Sequence, residues 1–128
     1  MRASMFLVLL MASPADALDG AGFEASVTGQ TLQWQSHGTP YGAEQYLPDR
    51  RVIWQSEGGA CHYGTWTEPE PGRICFLYEH RDAPQCWHFQ VAASGLSAQF
   101  LGLGQTRSLT EASRSAAPLN CPELGPGV

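Results

Sequence analysis

The chain has 128 residues, a length that suits one domain with a small core, and its formal net charge at pH 7 is −5. Its seven basic residues are all arginines, twelve residues are acidic, and only Arg50 and Arg51 form an adjacent basic pair. Nucleic acids and anionic membrane surfaces are both bound through clustered basic side chains. The composition therefore argues against both classes of partner.

The first residues carry the three parts of a secretory signal peptide. They are the basic start Met1-Arg2, an apolar run over residues 5–11 and the small-residue triplet Ala15-Asp16-Ala17. The run is too short for a membrane-spanning helix, which needs about 20 apolar residues. We expect residues 1–17 to be removed and the mature chain to be periplasmic or secreted, without a membrane span.

The mature chain begins with a pattern typical of one short helix over residues 18–30, with Asp19 as N-cap and Gly29 as the stop. From residue 31 onward, short apolar stretches alternate with turn residues, as in antiparallel strands. Strands are predicted over residues 31–35, 41–47, 51–56, 61–67, 73–80, 85–92, 96–101 and 107–111. No room remains for crossover helices, so we expect a mainly β fold: an antiparallel meander or small barrel with one short N-terminal helix, stapled by disulfides. This single β domain should cover residues 18–112, followed by an irregular tail over residues 113–128.

One hairpin has a well-specified register, with its turn at residues 80–84 and Cys75 opposite Cys86. Ile74 then faces Trp87 on an apolar face. The same face is predicted to carry Phe76, Tyr78, Phe89 and Val91. A register slip of one residue would expose these apolar side chains to water. The alternation therefore fixes which residues of the two strands pair.

The preceding turn is predicted at residues 69–72, where two prolines remove donors that a sheet interior would need. This turn would place Trp66 opposite Ile74 and Gly64 opposite Phe76. The missing side chain of Gly64 would then leave space for an aromatic ring.

The cysteines lie beyond the predicted cleavage site, where an oxidising compartment would pair them. Cys61, Cys75 and Cys86 are expected on one face of the sheet, so Cys121 must reach them from the tail. We prefer the pairs Cys75–Cys86 and Cys61–Cys121. Four cysteines allow three pairings, and the sequence alone does not choose decisively among them.

No catalytic, cofactor or metal site is predicted. The histidines have no zinc-ligand spacing, and the chain has neither a C-x-x-C motif nor a G-x-S-x-G elbow. The histidines are His37, His62, His80 and His88. Carboxylates that could in principle form a glycosidase pair are Glu44, Glu57, Glu68, Glu70 and Glu79, which we interpret as surface residues. We therefore do not expect an enzyme.

The segment over residues 41–54 is the densest mixture of aromatic and charged residues, and it has two interpretations. It could form a recognition surface, because Tyr, Trp and Arg are enriched where proteins meet partners. The candidate contact residues are Tyr41, Tyr46, Arg50 and Arg51. The favoured alternative is two strands joined by a turn, with Trp54 and Val52 in the core and both arginines in solvent.

Three short segments carry a family resemblance: GGACHYGTW at residues 58–66, ICFLY at 74–78 and QCW at 85–87. Together they resemble small exported proteobacterial β-domain proteins of unknown function. The chain is more distantly similar to lipocalin-type and periplasmic protease-inhibitor barrels, which also use G-x-W steps. The resemblance implies a meandering or lipocalin-like β domain and carries no catalytic residues.

These observations predict an exported, noncatalytic binding or structural module of the cell envelope that acts through a disulfide-stiffened β surface. Its partner would be an envelope protein or a small ligand. The alternatives are a small β-barrel that carries an apolar ligand, a periplasmic inhibitor and, least favoured, a weak hydrolase.

Overall fold

The computed structural model describes residues 17–104 and 106–122, and within them the chain forms one closed β-barrel. A helix, α1 (Gly20–Val27), precedes the strands, and a short 3-10 turn (Pro48–Arg50) lies between the second and third strands. The strands are β1 (Thr31–Ser36), β2 (Thr39–Tyr46), β3 (Arg51–Ser56), β4 (Cys61–Glu70), β5 (Arg73–Tyr78), β6 (Gln85–Ala92), β7 (Gly95–Phe100) and β8 (Ser108–Ser115). The mainly β prediction with one short N-terminal helix is confirmed. Of the predicted signal peptide, only Ala17 lies within the described residues.

Each strand pairs antiparallel with the next, and β1 pairs with β8 to close the barrel. The closing pair runs from Thr31 opposite Ser115 to Gln35 opposite Thr110. β8 therefore continues to Ser115, three residues into the segment predicted as an irregular tail. That prediction was wrong at its start because pairing with β1 satisfies the backbone groups of a segment that has no strong apolar alternation.

Helix α1 covers one end of the barrel. Asp19 caps it as predicted, because its carboxylate accepts a hydrogen bond from the Gly22 amide at 2.8 Å. The helix is shorter than the predicted span and ends at Val27. Its fully buried Phe23 ring lies within 4.3–6.3 Å, between ring centroids, of four rings of the barrel core. These are Tyr46, Trp66, Phe76 and Phe89. The helix thus acts as an apolar plug.

The β5–β6 hairpin has the predicted register, with Cys75 opposite Cys86 and Ile74 opposite Trp87. Cys75 and Cys86 form a disulfide, here called the hairpin disulfide. The prediction of the apolar face is wrong for one residue, Val91, which is 72% exposed. Val91 stands one residue from the end of β6, beside the β6–β7 turn, where its side chain projects into solvent.

The β4–β5 register differs by two residues from the prediction. Trp66 lies opposite Phe76 rather than Ile74, and Gly64 lies opposite Tyr78. The predicted four-residue turn is in fact a two-residue turn at Pro71-Gly72, since β4 runs to Glu70 with a register irregularity after Thr67. Proline followed by a glycine with φ of +77° is the pair that a type II turn requires.

Cys61 and Cys121 form the second pair, here called the tail disulfide, so the preferred connectivity is confirmed. The described part of the tail runs along the outside of the barrel. The Thr31 hydroxyl donates a hydrogen bond to the Ala117 carbonyl at 2.8 Å, and the Leu119 amide donates one to the Gln45 side chain at 3.0 Å. The tail is therefore tied down by a covalent bond and by hydrogen bonds to β1 and β2.

Candidate functional site: the barrel cavity

The barrel contains a cavity of about 260 Å³ between the plug formed by α1 and the opposite end. That opposite end, here called the mouth, reaches solvent where Ser56, His80 and Arg81 line the cavity and are themselves exposed. Eight Phe, Tyr and Trp side chains line it: Trp34, Tyr41, Tyr46, Trp54, Phe76, Tyr78, Trp87 and Phe89. Most of the remaining lining side chains are polar. Deeper positions include the small side chain of Ala98. The site is a concave pocket that combines aromatic rings with polar side chains, the form in which proteins commonly hold small molecules.

Strand alternation explains most of this lining. On β2, Gly42, Glu44 and Tyr46 are buried at every second position and face inward. A bulge then changes the alternation, since Trp34 lies opposite Gly42 but Gln35 lies opposite Pro40. Tyr41 is the extra residue of the bulge, and its ring lines the mouth.

Two glycines allow large rings to pack beside neighbouring strands. A Cβ atom on Gly42 would lie 2.5 Å from the Trp54 ring, and one on Gly64 would lie 2.4 Å from the Leu77 carbonyl oxygen and 2.9 Å from the Tyr78 ring. Distances below 3.0 Å are not tolerated by real side chains, so these positions have to lack one. The glycines therefore place Trp54 and Tyr78 where they line the cavity.

The Glu44 carboxyl group is the polar feature of the inner wall. The residue is only 3% exposed, and the Tyr78 hydroxyl donates a hydrogen bond to the carboxyl, with its oxygen 2.8 and 2.9 Å from the two carboxyl oxygens. Burial raises the pKa of Glu44 from 4.5 to about 8, and the hydrogen bond from Tyr78 only partly opposes this shift. At neutral pH the cavity therefore holds a mostly protonated carboxylic acid, which can both donate and accept hydrogen bonds.

The mouth carries positive and aromatic groups. Arg107 Nη1 donates a hydrogen bond to the Tyr41 hydroxyl at 2.6 Å, and the guanidinium carbon lies 5.4 Å from the centre of the Tyr41 ring. Arg81 lines the same opening and is exposed. The rings of His62 and His80 stack at 3.8 Å, and reduced hydration together with the neighbouring His62 and Arg81 lowers the pKa of His80.

The four predicted contact residues do not share one surface. Tyr41 lies at the mouth, and Tyr46, which is 2% exposed, lines the cavity from within. Arg50 lies at the helix end, with its guanidinium 4.3 Å from the centre of the Trp66 ring and an ion pair to Glu24 at 3.2 Å. Arg51 is exposed and donates a hydrogen bond to the Pro48 carbonyl at 3.2 Å. Their role in partner contact stays a prediction.

Sequence reasoning missed three residues that define the site: Glu44, Arg81 and Arg107. Glu44 was interpreted as a surface carboxylate, although it occupies an inward position between two other core positions of β2. The signal that could have identified it is the alternation within β2, because Glu44 lies at the same every-second position as Gly42 and Tyr46. The arginines stand in or beside loops, where sequence gives no direction for their side chains.

In the described part of the chain, no three His, Cys, Asp or Glu side chains come together as a metal site. The described residues also contain no helix with the length and apolarity needed to cross a membrane. No protein-family model matches the chain, and neither a curated protein nor a solved structure matches it. The resemblance to exported β-domain proteins therefore stays a prediction, and the site's own geometry has to carry any functional conclusion.

Proposed function

We propose that this chain is a noncatalytic binding protein that holds a small organic molecule in the barrel cavity. The observation that carries the proposal is the aromatic cavity of about 260 Å³, plugged by α1 at one end and open at the other. This function corresponds to the ligand-carrying barrel that the sequence offered as an alternative. It replaces the disulfide-stiffened β surface as the favoured mechanism because the four proposed contact residues lie on different parts of the barrel.

The size of the cavity supports a small ligand. Pockets that hold drug-sized molecules have volumes of about 300–1,000 Å³, so this cavity lies just below that range. Aromatic faces would supply most of the binding free energy through burial of apolar surface. Glu44 and Tyr78 would then orient the ligand through hydrogen bonds inside the barrel.

Two further features support a binding role in an oxidising compartment. The hairpin disulfide and the tail disulfide join all four cysteines, which leaves no thiol for nucleophilic or redox chemistry. Structural disulfides form and persist mainly outside the reducing cytosol. We therefore include export to the periplasm or beyond in the proposal.

The test is a mass measurement combined with a cavity-filling substitution. Native mass spectrometry of protein purified from its own host should show an added mass that denaturation removes. Ala98→Phe should abolish the added mass, because the new ring occupies space inside the barrel. The matched control is Gln99→Phe, on the exposed side of the same strand, which should retain it.

A polypeptide that carries no added mass, or the same bound mass in both variants, would contradict binding in the cavity. Far-ultraviolet circular dichroism of both variants should match that of the wild type. This control separates a filled cavity from an unfolded barrel.

A further inference from the structure

The fixed charges that line the cavity are positive. Among the described residues, ion pairs join Arg50 to Glu24 and Arg114 to Glu111, and neither Arg81 nor Arg107 has a carboxylate partner. Both arginines nevertheless line the mouth. An unpaired guanidinium beside an aromatic pocket keeps donors in a geometry that matches a carboxylate or another oxyanion.

Arg107 is already held in place. Its Nη1 atom is bound to the Tyr41 hydroxyl, and its guanidinium packs over the Tyr41 ring, which itself lies 5.6 Å from the Trp54 ring between centroids. This packing fixes the side chain before a ligand arrives, so binding costs less conformational entropy. The remaining guanidinium donors are available to a group at the mouth.

The acidic groups at this end of the molecule do not cancel these charges in the cavity. Glu57 follows β3, and Glu79 and Asp82 lie in the β5–β6 loop, but all three are exposed and do not line the pocket. Hydrated side chains of this kind are screened by salt. Glu44, the carboxyl group that does line the pocket, is mostly uncharged at neutral pH because it is buried.

We infer that the cavity's ligand is a small organic anion, with its acidic group between Arg81 and Arg107 at the mouth and its apolar body against the aromatic rings inside. This inference rests on the proposed function and specifies its ligand class. An organic cation fits less well, because it would pass two guanidinium groups and would gain a negative partner inside only if Glu44 released its proton to solvent. A neutral ligand would leave both arginines without an anionic partner.

The experiment compares three probes that share an indole ring and a short side chain but differ in charge: indole-3-acetate, indole-3-acetamide and tryptamine. Binding to the ligand-free protein is measured at pH 7 by isothermal titration calorimetry. The acetate should bind about tenfold to a hundredfold more tightly than the amide, the margin expected for one or two charge-assisted hydrogen bonds, and the amine should bind most weakly.

Arginine substitutions then locate the preference. Arg81→Gln and Arg107→Gln should each weaken binding of the acetate by about tenfold and change binding of the amide little. The matched control is Arg51→Gln, which removes an exposed arginine at the opposite end of the barrel and should leave all three affinities unchanged.

Three results would overturn the inference. Equal binding of the acetate and the amide would refute the anionic class while leaving a cavity-bound ligand intact. Tightest binding of tryptamine, with that binding lost in the Glu44→Gln variant, would do the same. No binding by any probe would also overturn the anionic class. The proposed function is judged separately, by the added mass and its sensitivity to Ala98→Phe.

Discussion

Replacement of Glu44 by glutamine should change how stability depends on pH. Glutamine has the shape of a protonated glutamic acid and can keep a hydrogen bond to Tyr78, but it does not titrate. Because the wild-type carboxyl is buried with a pKa of about 8, its ionisation opposes folding. We expect the variant to resemble the wild type near pH 5 and to be clearly more stable near pH 8.

The magnitude follows from the pKa difference between the two states. In the unfolded chain Glu44 titrates near 4.5, so between pH 5 and pH 8 the unfolded state binds fewer protons than the folded state. The free energy of unfolding must then fall as pH rises, by up to about 1.4 kcal/mol per pH unit. Relative to the glutamine variant, the wild type should lose about 2 to 3 kcal/mol between pH 5 and pH 7 and should level off above pH 8.

Urea unfolding of ligand-free protein, followed by tryptophan fluorescence at pH 5, 6, 7 and 8, measures this difference directly. Comparison between variants cancels the contributions of other groups, including His80 and Glu111, whose pKa values are lowered in the fold. Glu79→Gln, at an exposed position, is the matched control and should run parallel to the wild type. Parallel curves for Glu44→Gln and wild type would mean that Glu44 is ionised in the folded protein, and the description of the inner wall would be wrong.

Two other substitutions test how the barrel is held together. Gly64→Ala should reduce stability by about 2 to 3 kcal/mol in the same assay, because the added methyl group would overlap the Leu77 carbonyl and the Tyr78 ring; a neutral result would show that β4 and β5 can separate at no cost. Replacing both cysteines of the tail disulfide by serine should cost about 4 kcal/mol, and the same change in the hairpin disulfide about 3 kcal/mol, since they close loops of 60 and 11 residues. If loss of the hairpin disulfide lowered the urea midpoint more than loss of the tail disulfide, chain entropy would not be the main source of their stabilisation.

Much of the fold could be predicted because the information is local. The β5–β6 register follows from alternating side chains on both strands and from the opposed Cys75 and Cys86. The N-cap at Asp19 follows from one residue type before an apolar segment. The turn at Pro71-Gly72 was misjudged, so the predicted β4–β5 register was wrong by two residues. In the structure, Gly64 accommodates Tyr78 and not Phe76.

The candidate site could not be predicted to the same degree because it depends on barrel closure. Closure joins β1 to β8, whose residues are about 80 positions apart in sequence, and no local pattern specifies that pairing. From the sequence alone, Glu44 cannot be distinguished from the other polar residues of a strand. Only the closed barrel shows that it is enclosed by aromatic rings, that its pKa is raised and that Tyr78 is its partner.

The two ends of the barrel are stabilised in different ways, and this difference has a functional consequence. At one end the Phe23 side chain of α1 packs into the aromatic core, so burial itself supplies cohesion. At the mouth the unfilled cavity forfeits such contacts, which costs stability. The tail disulfide lies at this end, since Cys61 is the first residue of β4 and precedes the cavity-lining His62. This covalent link ties the tail to the start of β4 beside an aromatic site that packing alone would favour closing, and a site formed in advance binds its ligand at a lower entropic cost.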